Sequence, residues 1–250
     1  MSLTAEKISL YGGSRLLCAD LTMHIQPGDY WGILGPNGGG KTTLLLTLAG
    51  LRAPKRGKIL LNEQPLAAYR SKHIAQQLGI LFQDGPVGFP LRVSAYCSMA
   101  RYPHLQAFKG ESTDDKRLTH SALQAMELET LQHHWLHELS GGEQQRARIA
   151  ALLTQTPSIY LLDEPTNHLD MRYQLHVLNH FQQLAKQQNA VVASLHDVNL
   201  AQHYCNRLLL LFPDGSSLQG SPDEVLTESN LYKLYQCSLI RQHLMWTPML

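Results

Sequence analysis

The chain carries no excess charge of either sign: 21 Lys and Arg stand against 20 Asp and Glu, a formal net charge of +1. The basic surplus that holds nucleic acid by its phosphates is therefore missing. Cysteine is scarce. Cys18, Cys97, Cys205 and Cys237 form no C-x-x-C pair and no metal-ligand spacing, which argues against a cysteine-built zinc site or a disulfide framework, and they read as reduced, mostly buried thiols of a cytosolic protein. No apolar run approaches the roughly 18 residues that span a bilayer, so any membrane role is expected to come through partners. The opening Met1 to Lys7 lacks the basic-then-apolar pattern of a secretion signal. Internal repeats and low-complexity stretches are also missing. What remains is a 250-residue chain with 44% hydrophobic residues, ordinary for a soluble globular protein and long enough for one large or two small domains.

Against that plain background one segment stands out. Gly35-Pro36-Asn37-Gly38-Gly39-Gly40-Lys41-Thr42 fits the phosphate-loop spacing G-x-x-x-x-G-K-[ST]. It follows the strand-like run Tyr30 to Leu34 and leads into Thr43 to Ala49, which reads as a helix closed by Gly50. Glycines let successive N–H groups turn inward on an anion, and the helix adds the positive end of its dipole. Lys41 is placed to reach the β- and γ-phosphates, and the Thr42 hydroxyl to ligate Mg²⁺. The chain reads as a binder of a nucleoside triphosphate. Guanine-reading segments of the N-K-x-D or T-K-x-D type are missing, which disfavours a GTPase.

A matching carboxylate lies downstream. Ser158 to Leu162 reads as a strand buried on both faces, of the parallel-sheet kind, and ends in Asp163-Glu164-Pro165. Acids leaving a strand at its carboxyl end stand where open α/β sheets bind ligands. Asp163 is placed to hold Mg²⁺ through water, and Glu164 to take a proton from an attacking water. A third segment, Leu139-Ser140-Gly141-Gly142-Glu143-Gln144, is a capping box opening a helix over Gln144 to Leu153. A cap does not call for two glycines in the first turn, each up to about 1 kcal/mol poorer than Ala in a helix. Bare backbone there lets an anion come close, so the segment reads as cap and phosphate-binding surface together.

Together these residues resemble the ATP-binding cassette (ABC) ATPase family over nearly the whole chain. The resemblance implies that Leu139 to Gln144 is the signature sequence, with Ser140, Gly141 and Gly142 contacting ATP held by the phosphate loop of a second subunit. It implies that Gln83, in Leu81-Phe82-Gln83-Asp84, senses Mg²⁺ and a transmembrane partner. Asn167-His168-Leu169-Asp170 resembles the D-loop, with Asp170 at the nucleotide. His196 resembles the switch histidine that contacts the γ-phosphate, and Tyr11 lies where the family stacks an aromatic ring on adenine. The implied nucleotide-binding set is Tyr11, Gly35, Pro36, Asn37, Gly38, Gly39, Gly40, Lys41, Thr42, Thr43, Ser140, Gly141, Gly142 and Asp170. The catalytic set is Glu164, His196, Lys41 and Gln83, and the Mg²⁺ set Thr42, Gln83 and Asp163. Gly39 departs from the Ser or Ala usual in the family, which removes a side chain while leaving every N–H.

The fold expected is α/β: a P-loop NTPase (RecA-like) core with an N-terminal antiparallel β region and an inserted α-helical subdomain, one domain over 1–250. The core is expected at about 1–86 and 157–220, with an antiparallel region over about 3 to 33. The helical subdomain is placed at about 87–156, including an amphipathic segment from Leu118 to Leu131. A last helix opens at Ser221-Pro222-Asp223-Glu224, with a capping residue, Pro at the first position and two acids in the first turn. The tail from Cys237 to Leu250 adds a strand.

Lacking a long coiled-coil insertion and a second cassette, the chain is read as the detachable ATPase subunit of a transporter, a homodimer bound to permease subunits at the cytoplasmic face of the cell membrane. Phe89-Pro90-Leu91-Arg92-Val93, Met99 to His104, Asp197-Val198-Asn199-Leu200-Ala201 and Pro222 to Thr227 resemble the subfamily serving iron–siderophore, haem and vitamin B12 importers. In that family the region of the first two of these stretches lines a groove that receives the coupling helix of the permease, and a substrate-binding protein acts indirectly. The alternatives are a cytosolic ATPase of iron–sulfur assembly and an exporter ATPase.

Overall fold

Along the strand Tyr30–Leu34, Tyr30 and Leu34 enter one hydrophobic core while Trp31 and Ile33 enter another. The same alternation runs through Ile159–Leu162, Ala190–Ser194 and Arg207–Leu211. A strand apolar at every position has no face to offer water, so it must lie inside a sheet covered on both sides. That requirement organises the chain, which a computed structural model describes over residues 1–83, 90–105, 110–242 and 245–248. Asp84, Phe89 and residues 243–244 and 249–250 of the tail lie outside the described residues.

In chain order, β1 (Leu3–Gly12) and β2 (Arg15–Ile25) form a hairpin whose turn is made by Gly13 at φ 64°. β3 (Tyr30–Leu34) leads through the phosphate loop into α1 (Lys41–Leu48). β4 (Arg56–Leu61) and β5 (Gln64–Pro65) follow, then α2 (Ser71–Gln77) and β6 (Leu78–Leu81). Helices α3 (Val93–Met99), α4 (Thr113–Ala125) and α5 (Gly141–Gln155) fill the stretch before β7 (Ile159–Leu162). The core closes with α6 (Met171–Lys186), β8 (Ala190–Ser194), α7 (Val198–Tyr204), β9 (Arg207–Leu211) and β10 (Ser217–Gly220). Last come α8 (Pro222–Val225), α9 (Glu228–Tyr235) and the hairpin β11 (Leu239–Gln242) and β12 (Met245–Pro248).

The main sheet has six strands in the order β10-β9-β3-β8-β7-β6, parallel except for the β10 edge. One face packs on α1 and on a four-stranded antiparallel sheet, β2-β1-β4-β5. The other packs on the helices from α3 onward. The antiparallel region therefore draws in β4 and β5 from beyond the phosphate loop, while Tyr30–Leu34 leaves it for the parallel sheet; Gly32 permits this, because a Cβ there would meet Leu208 Cδ2 at 2.7 Å.

Local signals set most boundaries. Gly50, at φ 73°, ends α1 with its N–H on Thr47 O, as a C-terminal glycine does. The amphipathic segment expected from Leu118 to Leu131 stops being α-helix at Ala125, because Glu127 takes a left-handed φ of 51° and a separate 3₁₀ turn follows at Glu129–Leu131. The last helix is in fact two. After one turn at Pro222–Val225, Thr227 caps a second helix by accepting the Asn230 N–H. Three of the four cysteines are buried and Cys237 is exposed.

The helical stretch is fastened by a buried ion pair. Arg101, 7% exposed, donates from Nε to Asp115 Oδ1 at 2.8 Å and from Nη1 to Thr154 O, Gln155 O and Thr156 Oγ1. It thus joins the end of α3 to the start of α4 and the end of α5. Asp115 Oδ2 also accepts Ser112 N–H and Oγ–H in a capping box. Those hydrogen bonds from Ser112, and then the Arg101 guanidinium, hold its carboxyl down at about 2 against an ordinary 3.8. A carboxyl depressed in the folded state contributes stability above its unfolded pKa and loses it as pH falls through the folded one. Urea midpoints are expected to drop between about pH 4 and pH 2, with a shallower drop in Asp115→Asn. Arg101→Met, which leaves a buried carboxylate uncompensated, is expected to cost about 3–5 kcal/mol in the same denaturation at neutral pH.

Candidate functional site

The carboxyl ends of β3, β7 and β8 lie side by side, and the loops that leave them build one cleft of about 510 Å³. Its floor is the phosphate loop. Gly38 and Gly40 take φ of 71° and 100°, which non-glycine residues rarely adopt. Gly39 is closed in by its own turn: its N–H bonds Pro36 O, and a Cβ would stand 2.9 Å from that oxygen. The Ser or Ala usual in the family would therefore require this turn to open.

Lys41, Thr42 and Thr43 begin α1 and face the cleft. Lys41 is 5% exposed and donates from Nζ to Gly35 O at 2.9 Å and Pro36 O at 3.3 Å. Burial pulls its ammonium below the ordinary lysine range, opposed by the nearby carboxylates of Glu164 and Asp163. A buried cation facing an open cradle of backbone N–H groups is the donor set that a polyphosphate matches. Phosphate oxygens would take the hydrogen bonds Lys41 now gives to carbonyls.

Opposite stands the acid pair. Asp163 is 2% exposed and accepts the Ser194 hydroxyl at 2.7 Å, while Ser194 Oγ in turn accepts the Glu164 N–H at 2.8 Å. Glu164 adopts φ 50°, a left-handed conformation costly for a residue with a Cβ. That turn carries its carboxylate into the cleft, where both oxygens are engaged. Oε1 lies 2.6 Å from His196 Nε2; Oε2 accepts Gln83 Nε2 at 3.1 Å and the Asn167 amide. The carboxylate, the histidine and the glutamine named from sequence thus converge on one point. Thr42, Gln83 and Asp163 offer a hydroxyl, an amide oxygen and one carboxylate, hard oxygen donors of the kind that bind Mg²⁺ while leaving it several waters.

Other sequence-named residues lie elsewhere. Ser140 caps α5, sharing a reciprocal capping box with Glu143. Gly142 packs against the Asn167–Asp170 segment, where a Cβ would meet His168 O at 3.0 Å; at Gly141 the nearest atom would be His168 Cβ, an ordinary 3.9 Å away. None of the three lines the phosphate-loop cleft of its own chain. Asp170 caps α6 by accepting the Tyr173 N–H. Tyr11 is half-buried on β1, its carbonyl held by Arg52, and the cleft wall beside it is made by Gly12, Arg15 and Leu17 instead.

Sequence reasoning did not single out Arg15, Leu17 or Ser194, and named Asn167 only as part of the segment that resembles the D-loop. Arg15 and Leu17 reach the cleft only because the β1–β2 hairpin folds over the phosphate loop, with Leu17 Cβ 3.0 Å from a Cβ built on Gly40. Ser194 had a visible signal, a lone hydroxyl ending an otherwise apolar strand; its partner follows from the β7–β8 register, in which Leu162 opposes Ala193.

Comparison with known proteins agrees with this geometry. A family described as ABC transporter matches residues 18–167. The ferric enterobactin transport ATP-binding protein FepC of Escherichia coli K12 is 34% identical over 99% of this chain and 92% of its own. The hemin import ATP-binding protein HmuV of Pseudomonas aeruginosa is 35% identical over 96% and 94%. A solved ABC transporter in an inward-facing conformation, described as of metal-chelate type, superposes with a TM-score of 0.84 at 28% identity, covering 100% of this chain and 98% of that one. A phosphate loop facing an acid pair across one cleft, in a chain that aligns end to end with such proteins, has one reading: the chain belongs to the ABC transporter family as an ATP-binding member that hydrolyses ATP.

Proposed function

We propose that the chain is the ATPase subunit of an importer for a metal chelate, with ferric siderophore and haem as the leading cargoes. The near-complete alignment with FepC, whose name states ferric enterobactin transport, carries this reading. A groove between the core and the helices supports it. The groove is lined by Ile80, Leu81, Phe82, Tyr96, Ala100, Arg148, Ala151 and Leu152, and Phe82, Met99 and Tyr102 around it are exposed. An apolar groove beside Gln83 suits a helix from a permease subunit, since an amphipathic helix lays its apolar face into such a surface. No helix among the described residues is long and apolar enough to cross a membrane, so transport requires that permease; a substrate-binding protein would act through it. The place of work would be the cytoplasmic face of the cell membrane.

In this reading the phosphate loop cradles the β- and γ-phosphates, with Lys41 against their charge. Thr42, Gln83 and Asp163 would hold Mg²⁺, which when bound neutralises charge on the transferring phosphoryl group. Glu164 accepts the proton of the attacking water, and His196 orients that carboxylate at the γ-phosphate. Ser140 and Gly141 stand on a surface away from their own cleft, which fits completion of the site by a second copy. ATP then joins two chains, and hydrolysis parts them.

Glu164→Gln is expected to keep ATP binding while turnover falls roughly 10²-fold or more, because the proton acceptor is lost and the phosphate contacts remain. Single-turnover hydrolysis beside nucleotide binding measures this; near-normal turnover would transfer the base role to His196.

The shared site is best tested at Gly141, where a side chain has room, rather than at Gly142, where it would press on His168 O. An acid in the first turn of α5 also suits the helix dipole, so folding is retained. Gly141→Asp is expected to bind ATP as a monomer with unchanged affinity and to lose ATP-dependent dimerisation in light scattering. Equal loss of monomer binding would assign the segment to its own chain.

Reconstituted in lipid with its permease, the subunit is expected to hydrolyse ATP faster when cargo-loaded binding protein is added, and Gln83→Ala to blunt that stimulation more than ATP binding. Stable association with soluble assembly factors, and with no membrane protein, would replace the importer reading by the iron–sulfur assembly one.

A further inference from the structure

The C-terminal hairpin reaches back to the helix that follows His196. Asn199, in the first turn of α7, sets its side-chain amide against the main chain of Trp246: Oδ1 accepts the Trp246 N–H at 2.7 Å and Nδ2 donates to Trp246 O at 3.2 Å. An amide that both accepts from and donates to one residue's backbone pairs with it much as a neighbouring strand does. The Trp246 ring is 6% exposed and belongs to the larger core cluster, yet its Nε1 has no hydrogen-bond partner among the described residues. Leaving that donor unpaired in the interior is unfavourable. What the indole supplies is therefore buried volume that fixes β12, and the fixed backbone is what Asn199 grips.

His196 lies three residues before Asn199. Its ring is half-exposed, and its hydrogen-bond contact among the described residues is Glu164. Its position is inherited from the chain on either side. Upstream, Leu195 N–H bonds Ile33 O at 3.1 Å; downstream, Asp197 caps α7 by accepting the Asn199 and Leu200 N–H groups at 2.7 and 3.2 Å. α7 is seven residues long, too short to hold itself as a helix without packing. Ala201 and Tyr204 bury one side of it, and the Asn199–Trp246 pair fastens its first turn.

We propose that the C-terminal hairpin is a positioning element for hydrolysis: Asn199 and Trp246 hold α7, and through it His196, in place against Glu164. The inference rests on the role of His196 given above. A 1 Å displacement of a group in an active site can cost about 10²-fold in rate, so a clamp three residues away is close enough to matter without touching nucleotide.

The test is steady-state ATP turnover of the purified full chain, with ATP affinity and melting temperature measured on the same samples. Asn199→Ala and Trp246→Ala are expected to lower kcat roughly tenfold, within the range a sub-ångström to 1 Å displacement allows, at unchanged ATP affinity. Trp246→Phe, which keeps a buried ring and both main-chain hydrogen bonds, is expected to restore turnover. In a His196→Ala background, Asn199→Ala is expected to leave the residual rate where it was. Full turnover in His196→Ala itself would remove the histidine's role and this inference with it. A dead His196→Ala beside fully active Asn199→Ala and Trp246→Ala would overturn the hairpin's role alone. A further loss from Asn199→Ala in the His196→Ala background, or a joint fall of kcat, affinity and melting temperature, would reduce the hairpin to a support of the fold.

Discussion

Parallel pairing of β3, β8 and β7 is the constraint on which the rest of this molecule depends. With Ile33 opposite Ser194, and Leu162 opposite Ala193, the three strands end together. Each then releases its loop into the same space: phosphate loop, acid pair and His196. The strands are held there by burial of every apolar side chain on one face or the other, at roughly 25 cal/mol for each Å² removed from water. A one-residue slip would exchange Tyr30 and Leu34 with Trp31 and Ile33 between unlike cores. The catalytic geometry is thus a by-product of two well-packed interiors that share a sheet.

Electrostatics in the cleft follow from that packing. Lys41, Asp163 and Glu164 are each withdrawn from water, and each is compensated locally: by carbonyls, by the Ser194 hydroxyl, and by the side chains of His196, Gln83 and Asn167. Every one of those partners is a group that a nucleotide or its metal could displace or recruit. Glu164 is the most committed, held at a left-handed φ with both oxygens taken. Strain of this kind persists only where surrounding structure over-determines it. Here that structure is the Ser194 hydroxyl on its N–H and the Asn167 turn behind it.

The helical segment is attached by different means. Arg101, lying in a stretch noted for resembling importer subunits, proves to be a buried structural cation whose neighbours Met99 and Tyr102 are the exposed residues. One short segment therefore serves both to lock α3, α4 and α5 together and to present a surface. At the start of α5 the constraint is local instead: a Cβ on Gly142 would stand 3.0 Å from His168 O of the same chain.

What the sequence by itself determined were the features whose cause is local. Glycines that permit positive φ, Ser140 and Ser221 as caps, Gly50 as a stop, and apolar runs too continuous for a one-sided strand all act within a few residues, so they are legible in order along the chain. Their spacing was enough to name the phosphate loop, Asp163 and Glu164, while Gln83 and His196 were named through the family resemblance those motifs carried. Tertiary structure alone decided which side chains meet. Ser194 bridging the two acids, Arg15 and Leu17 walling the cleft in place of Tyr11, Arg101 finding Asp115, and Asn199 gripping Trp246 all join positions brought together by strand order and register. Periodicity says that a residue faces inward; only the packed sheet says what it faces.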